Sequence, residues 1–280
     1  MTKALDEVIQ LLDLEQIEAD IYRGESPPGE RRQRVFGGQV AGQALVAAGR
    51  TVPTDRPVHS LHAYFIRPGD PTVPLLYLVE RVRDGRSFTT RRVSTVQHGK
   101  TIFTLSASFH RSEPGFEHAG AMPDVPAPEE AAVEVWGEDE FPANPIDIRH
   151  VSQPVTSAQG ARPEAGPRQM VWLRANGELP DDPLLHVCLM TYASDMTLLD
   201  TVLLPHGVSW DESVATGASL DHAMWFHRPF RADRWLLYVQ DSPSASGARG
   251  LARGEVFTRS GELVVSVVQE GLLRPRRAGR

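Results

Sequence analysis

Thr191-Tyr192-Ala193-Ser194-Asp195-Met196-Thr197-Leu198-Leu199-Asp200 lies in the middle of an apolar run over residues 184–204. Apolar residues fall on nearly every face of that run, so a helix formed here is buried all round rather than amphipathic. A carboxylate in such surroundings is costly unless it is paired, hydrogen-bonded or shifted in pKa. Asp195 has no basic neighbour one helical turn away, which makes it the first candidate for chemistry. Asp195 and Asp200 would each cost about 2.5–3.5 kcal/mol near a bilayer centre. The run therefore reads as protein core, and no membrane span is expected.

A chain of 280 residues, 41% hydrophobic, can bury a large core in one domain or two fused ones. Residues 1–16 mix Lys3, Asp6, Glu7, Asp13 and Glu15 with leucines, which is not a signal-peptide pattern, and a cytoplasmic protein is expected. The single cysteine, Cys188, excludes an intramolecular disulfide and a Cys-rich zinc site; within the buried run it reads as a small core hydrophobe. The net charge of -7 is uneven: residues 112–148 hold ten acidic residues and no Lys or Arg, leaving 29 basic against 26 acidic residues elsewhere. That balance argues against nucleic-acid binding and leaves room for a local Arg patch facing a phosphorylated small molecule.

Apolar positions Leu5, Val8, Ile9, Leu11, Leu12, Leu14 and Ile17 lie close to a 3.6-residue period, predicting an amphipathic helix, or a helix followed by strand, over residues 5–22. Residues 37–49 form a second predicted helix, rich in small residues that let a sheet wrap closely around it, with Gly49 as its C-cap. Strand-like segments follow at 58–66, 73–82, 86–97 and 101–110, the last two flanking the hairpin signal His98-Gly99-Lys100. Residues 112–148 carry six prolines and read as a surface connector with at most a short helix near 129–135. Core composition returns at Met170-Val171-Trp172-Leu173, then comes the buried run, then strand-like segments at 218–226, 234–241, 248–258 and 262–273.

The order of elements has recurred, and spacing supports a repeat. Phe65-Ile66-Arg67-Pro68 has a counterpart in Phe226-His227-Arg228-Pro229; Arg67 to the hairpin glycine Gly99 is 32 residues, and Arg228 to Gly261 is 33. Two diverged copies of one helix-plus-antiparallel-sheet unit are expected. A sheet curled around a mostly apolar helix is the hot-dog architecture, so the fold class is α+β: a double hot-dog of two tandem antiparallel sheets, each wrapped around a central helix. The expected division is 1–111 for the first unit, 112–168 for the connector and 169–280 for the second.

The halves differ in their reactive groups. The first helix offers Gln39 and Gln43, whereas the second offers Asp195 and, nearer its end, Asp200. Gln269 follows five mostly β-branched residues, which is odd for a core strand unless its amide has a partner; it reads equally as a structural hydrogen bonder or a catalytic group, with Ala107 as its first-half equivalent. His59 and His62, or His222 and His227, lie odd distances apart on strands, so neither pair can share a metal. A Ser219–His222–Asp195 triad lacks the G-x-S-x-G elbow, because Gly217-Ala218-Ser219-Leu220-Asp221 ends in Asp. His62, His222 and His227 read as satisfied strand histidines.

Phe36-Gly37-Gly38-Gln39-Val40-Ala41-Gly42-Gln43-Ala44, His59-Ser60-Leu61-His62-Ala63-Tyr64-Phe65, Tyr192-Ala193-Ser194-Asp195, Leu220-Asp221-His222-Ala223-Met224-Trp225-Phe226-His227-Arg228-Pro229-Phe230 and Val268-Gln269-Glu270-Gly271 together resemble the acyl-CoA thioesterase II family, over residues 11–274. The resemblance implies hydrolysis of acyl-CoA thioesters to free fatty acid and CoA. In that family an Asp on the second hot-dog helix, a Thr or Ser at a strand start and a Gln near the C-terminus hold one water, and these carry over to Asp195, Ser219 and Gln269. Many members have Thr at the second position; Ser219 keeps the hydroxyl and lacks the methyl that limits rotamers. The chemistry suits the residue types, since a desolvated Asp195 would accept a proton from the water that Ser219 and Gln269 orient. Direct attack by Asp195 to form an anhydride is the alternative mechanism.

The oxyanion would need a backbone N–H near a helix N-terminus. No metal and no cofactor is implied; acyl-CoA is the expected partner, and a homo-oligomer is expected. Arg86, Arg91, Arg249 and Arg253 are candidates to meet the nucleotide phosphates, from charge alone. Two other functions remain open: a non-catalytic acyl-CoA or acyl-carrier binding protein, which has no need of the three polar residues together, and an enoyl-CoA hydratase, which wants an Asp and a His one helical turn apart.

Overall fold

The computed structural model describes residues 2–27, 33–133, 144–151, 166–208, 210 and 214–276. The chain opens with α1 (Lys3–Leu12), whose N-cap Thr2 accepts a hydrogen bond from the Leu5 N–H, and continues into β1 (Glu15–Glu18) and β2 (Ile21–Gly24). After α2 (Gly37–Gly49) come β3 (Val58–Phe65), β4 (Leu75–Asp84), β5 (Phe88–Gln97) and β6 (Lys100–His110). His98 and Gly99 have φ of 50° and 70°, the left-handed pair that a two-residue hairpin between β5 and β6 requires.

Two strands fall inside the stretch expected to be connector: β7 (Ala132–Val133) and β8 (Ile146–His150), which pair with each other, β8 also pairing with β9 (Arg168–Ala175). The helix expected near 129–135 is instead a turn followed by β7, with 134 and 135 outside the described residues. Helices α3 (Pro183–Ser194) and α4 (Asp200–Leu203) precede β10 (Val214–Ser219), β11 (Asp221–Phe226), β12 (Leu236–Ser246), β13 (Arg249–Thr258) and β14 (Leu263–Pro275).

The strands form one antiparallel sheet in the order β1-β2-β4-β5-β6-β3-β11-β14-β13-β12-β9-β8-β7, with β10 also on β14. Sequence halves meet at β3 and β11, where Leu61 faces Met224 and His62 faces Ala223. Alternation sends Leu61, Ala63, Val93, Leu105, Met224, Val265 and Val267 into one large core together with α2 and α3.

α2 and α3 run antiparallel at very short range. A β-carbon at Gly38 would overlap the Tyr192 carbonyl oxygen, one at Gly42 would sit 3.1 Å from the Cys188 carbonyl oxygen, and one at Gly49 would sit 2.6 Å from Leu184 Cδ1. The small residues of α2 thus serve contact with a second helix as well as with the sheet. Gly49 is the last helical residue rather than a left-handed cap; the cap is Arg50, at φ -64° and ψ -12°.

A smaller cluster of Trp172, Trp235, Leu237 and Phe257 is covered by Met122, Val125 and Ala131 from the acidic stretch. The cover is pinned by Trp172 Nε1 donating to the Pro126 carbonyl at 3.0 Å and by the ion pair Arg259–Glu129 at 2.8 Å. Its composition made it look solvated because the apolar residues it contributes are few and widely spaced. Among the described residues no helix is long and apolar enough to cross a membrane.

Candidate active site

The apolar run does not form one helix. Asp182 caps α3 by accepting from the Leu184 N–H at 3.0 Å, Pro183 occupies the first turn, and the helix stops at Ser194. Ser194 Oγ lies 2.9 Å from the Thr191 carbonyl, at the last turn of the helix. Asp195 follows as the C-cap, at φ -87° and ψ -1°, in the bridge region between helix and extended chain. The break leaves the carboxylate at a helix end instead of on a helix flank.

The turn that follows is held by two buried amides, Gln169 and Gln240, facing one another on β9 and β12. Gln169 Nε2 donates to the Thr197 carbonyl at 2.7 Å and to Gln240 Oε1 at 2.6 Å, while Gln240 Nε2 donates to Thr197 Oγ1 at 2.7 Å. Replacing Gln240 with Leu strands a buried donor and a buried hydroxyl. It is expected to lower unfolding free energy by about 1–3 kcal/mol, read from urea denaturation; an unchanged midpoint would mean the amide pair does not hold this turn.

On the opposite wall, β10 and β11 meet β14 in registers that differ by one residue: Ser219 faces Gly271, but Ala223 faces Val268. This bulge at Leu220 lets Ser219 and the inward-facing His222 share a side, although they are three residues apart. Gln269, fully buried, points the same way from β14. Three groups converge: Gln269 Nε2 donates to Asp195 Oδ1 at 2.5 Å and contacts Ser219 Oγ at 2.8 Å, and Ser219 Oγ donates to Asp195 Oδ1 at 3.2 Å.

The other carboxylate oxygen meets the N-terminus of α2. The Gly38 N–H donates to the Asp195 carboxylate, and a β-carbon at Gly37 would sit 2.6 Å from Asp195 Oδ2. First-turn N–H groups lack partners within the helix and carry its positive end, so this anion is well placed. Gly37→Ala is expected to push the carboxylate aside and lower turnover by about tenfold to a hundredfold with the fold retained by circular dichroism. Wild-type turnover in this variant would show that the close approach has no catalytic consequence.

Burial raises the Asp195 carboxyl from 3.8 to about 6, against the hydrogen bonds from Gln269, Ser219 and Gly38, which pull it down. Such a group is ionised at neutral pH and still basic enough to take a proton. Behind it, Tyr238 Oη donates to the Ser194 carbonyl at 3.3 Å, and its own proton is held tightly by burial and by the Asp195 charge.

The remaining sequence candidates fall elsewhere. His222 bonds Ser194 Oγ through Nε2 at 2.9 Å and not Ser219, so the Ser219–His222–Asp195 triad does not form. His227 is satisfied by Ser266 Oγ at 2.9 Å and His62 packs edge-on against Trp225. Asp200 accepts from Trp210 Nε1. Gln39 and Gln43 bind the Glu25 carbonyl, and Gln43 also takes the Tyr77 hydroxyl, so both tie α2 to the chain after β2 and Gln43 ties it to β4 as well. Burial pushes the Cys188 thiol well up, as befits a core hydrophobe.

Arg91, a candidate for the phosphates, has a side chain 1% exposed, and its donors go to Thr51, to the Arg83 and Thr90 carbonyls and to Asp84. Arg86, Arg249 and Arg253 are exposed, with Arg249 paired to Glu270 and Arg253 to Asp241. No metal-binding group of His, Cys, Asp or Glu occurs among the described residues. Gly37, Gly38, Gln169 and Gln240 had no signal in the sequence that tied them to Asp195, since their proximity depends on helix and sheet packing.

Residues 148–272 match the family described as Acyl-CoA thioesterase, and residues 27–110 match the Acyl-CoA thioesterase N-terminal domain. The chain is 45% identical to mouse (Mus musculus) acyl-coenzyme A thioesterase 8 over 289 residues, which covers 95% of this chain and 88% of that one. A crystal structure of an acyl-CoA thioesterase II from Mycobacterium marinum superposes with a TM-score of 0.83 at 47% identity, covering 96% of this chain and 99% of that one. A hot-dog-fold protein from Alicyclobacillus acidocaldarius has a TM-score of 0.79 at 20% identity, covering 98% and 99%, a likeness of fold alone. With a hot-dog fold, a mostly antiparallel sheet and these relatives along nearly its whole length, the chain belongs to the acyl-CoA thioesterase II family.

Proposed function

We propose that the protein hydrolyses acyl-CoA thioesters to free fatty acid and CoA with a water held by Asp195, Ser219 and Gln269. The observation that carries this reading is the convergence of Ser219 and Gln269 on one oxygen of a carboxylate whose pKa burial has raised to about 6. Asp195 accepts a proton as the water oxygen bonds to the thioester carbon. The C–S bond then breaks, and the proton passes from Asp195 to the departing thiolate. A first-turn N–H of α2 other than that of Gly38, which serves Asp195, is proposed to receive the negative charge that develops on the carbonyl oxygen. Ser219, through its hydroxyl, and Gln269, through its amide, supply orientation rather than a nucleophile.

In this reading the chain is a pair of tandem hot-dog units with a central helix each, over 1–111 and 169–280, joined through 112–168. Support comes from the sheet order, in which β3-β6-β5-β4-β2 on one side of the centre is answered by β11-β14-β13-β12-β9 on the other. The site then draws on both units, Gly37 and Gly38 from the first and the three polar residues from the second. Exposed Arg86, Arg249 and Arg253 are the candidates for the CoA phosphates, Arg249 and Arg253 by exchanging their carboxylate partners. The protein is further proposed to be cytoplasmic and to assemble as a homo-oligomer.

Thiol release from a chain-length series of acyl-CoAs tests the activity. Steady CoA release with at least one chain length is expected; binding without release from any of them would leave the acyl-CoA-binding alternative.

A further inference from the structure

The polar network does not stop at Gln269. With Gln269 Nε2 turned toward Asp195 and Ser219, its Oε1 is left facing the protein interior, buried and without a hydrogen-bond partner in ordinary range. The same is true of Nδ1 of His222, which is 1% exposed. These two orphans belong to neighbours: continuing the β11–β14 register past Ala223 and Val268 sets His222 opposite Gln269, and the amide raises the affinity of the imidazole for a proton. Native interiors rarely strand polar atoms on two paired neighbours without a role for them.

We propose that His222 is a positioning residue for hydrolysis: its Nδ1–H donates to Gln269 Oε1 and locks the amide with its hydrogens toward Asp195 and Ser219. This rests on the proposed roles of Asp195, Ser219 and Gln269. The tautomer follows from the neighbours. Burial lowers the His222 pKa to about 4, so the ring is neutral near pH 7 and carries one proton. Ser194 Oγ is 2.9 Å from both His222 Nε2 and the Thr191 carbonyl, and its single hydrogen can serve either. Turned to Nε2, it leaves the ring proton on Nδ1, where it meets Oε1. Turned to Thr191, it would leave a bare Nδ1 toward Oε1, two acceptors with no proton between them. An unlocked amide flips, presenting an oxygen to the Asp195 carboxylate and repelling the charge it should steady.

Three substitutions separate this role from a packing role. The amide nitrogen of Asn occupies the place of imidazole Nδ1, whereas that of Gln occupies the place of Nε2. His222→Leu and His222→Gln are expected to lower kcat by about tenfold to a hundredfold with KM little changed. His222→Asn is expected to recover kcat to within about threefold of wild type. If the Ser194 contact were what matters, Gln would rescue and Asn would not, and that pattern overturns the proposal. Equal turnover in all three folded variants also overturns it. Should Leu fail to fold, the Asn and Gln pair still decides. Gln269→Ala, assayed alongside, keeps the two ideas apart: full activity there removes the catalytic reading itself, while a dead Gln269→Ala beside unimpaired His222 variants removes only His222.

Discussion

Replacing Asp195 with Asn is expected to lower kcat by at least about a hundredfold, the usual size of a lost general base, while making the folded protein more stable above pH 6. The two effects share one cause. Burial raises this carboxyl from 3.8 to about 6, so the folded state binds its proton more tightly than the unfolded chain does. The stability that comes from this proton is complete below about pH 4 and is lost as pH rises through about 6. Above that window the wild-type protein holds a buried charge that the Asn variant lacks. Thermal melts of both proteins at about pH 5 and about pH 7.5 should show the advantage of Asn growing with pH. Near wild-type turnover in the Asn variant would remove Asp195 from the mechanism, and a variant less stable at the higher pH would contradict the assigned shift.

Gln269→Ala has the next largest expected effect. Its amide donates to both Asp195 and Ser219, so truncation removes the group that fixes them relative to one another, and a loss in kcat of about a hundredfold is expected. The pH profile supplies a second readout. The Gln269 hydrogen bond pulls the Asp195 pKa down against burial, so its loss lets the pKa rise. The acid limb of kcat/KM, expected near pH 6 in the wild type, should move to higher pH in the variant. An acid limb that stays in place while kcat collapses would show that Gln269 acts on substrate and not on Asp195.

Much of the fold was legible because its signals are local. The alternation in β3 to β6 and β11 to β14, the His98-Gly99 hairpin and the small-residue helix α2 all depend on neighbours a few residues apart. Asp195 and Gln269 stood out for a similar reason, each being a polar side chain in an apolar run.

What the sequence could not convey arises from packing between distant segments. The apolar run gave no hint that its helix stops at Ser194, since that depends on Gln169 and Gln240 reaching Thr197 from two strands. The one-residue bulge at Leu220, which turns Ser219 inward, appears only when β10 and β11 are laid on β14. Gly37 and Gly38 looked like general small-residue packing, and only the antiparallel approach of α2 and α3 brings their backbone to the carboxylate. The burial of Arg91 was hidden for the same reason: charge in a strand says nothing about which face the strand will bury.

The central claim is that water, held by Asp195, Ser219 and Gln269, attacks the thioester directly. Single-turnover hydrolysis in oxygen-18 water, with enzyme in excess over acyl-CoA, tests it by mass spectrometry of the released fatty acid and of the peptide containing Asp195. Direct attack predicts one labelled oxygen in the fatty acid and none in the peptide. Label in the Asp195 peptide with an unlabelled acid would mean that the carboxylate itself had attacked to form an anhydride, and would contradict the account.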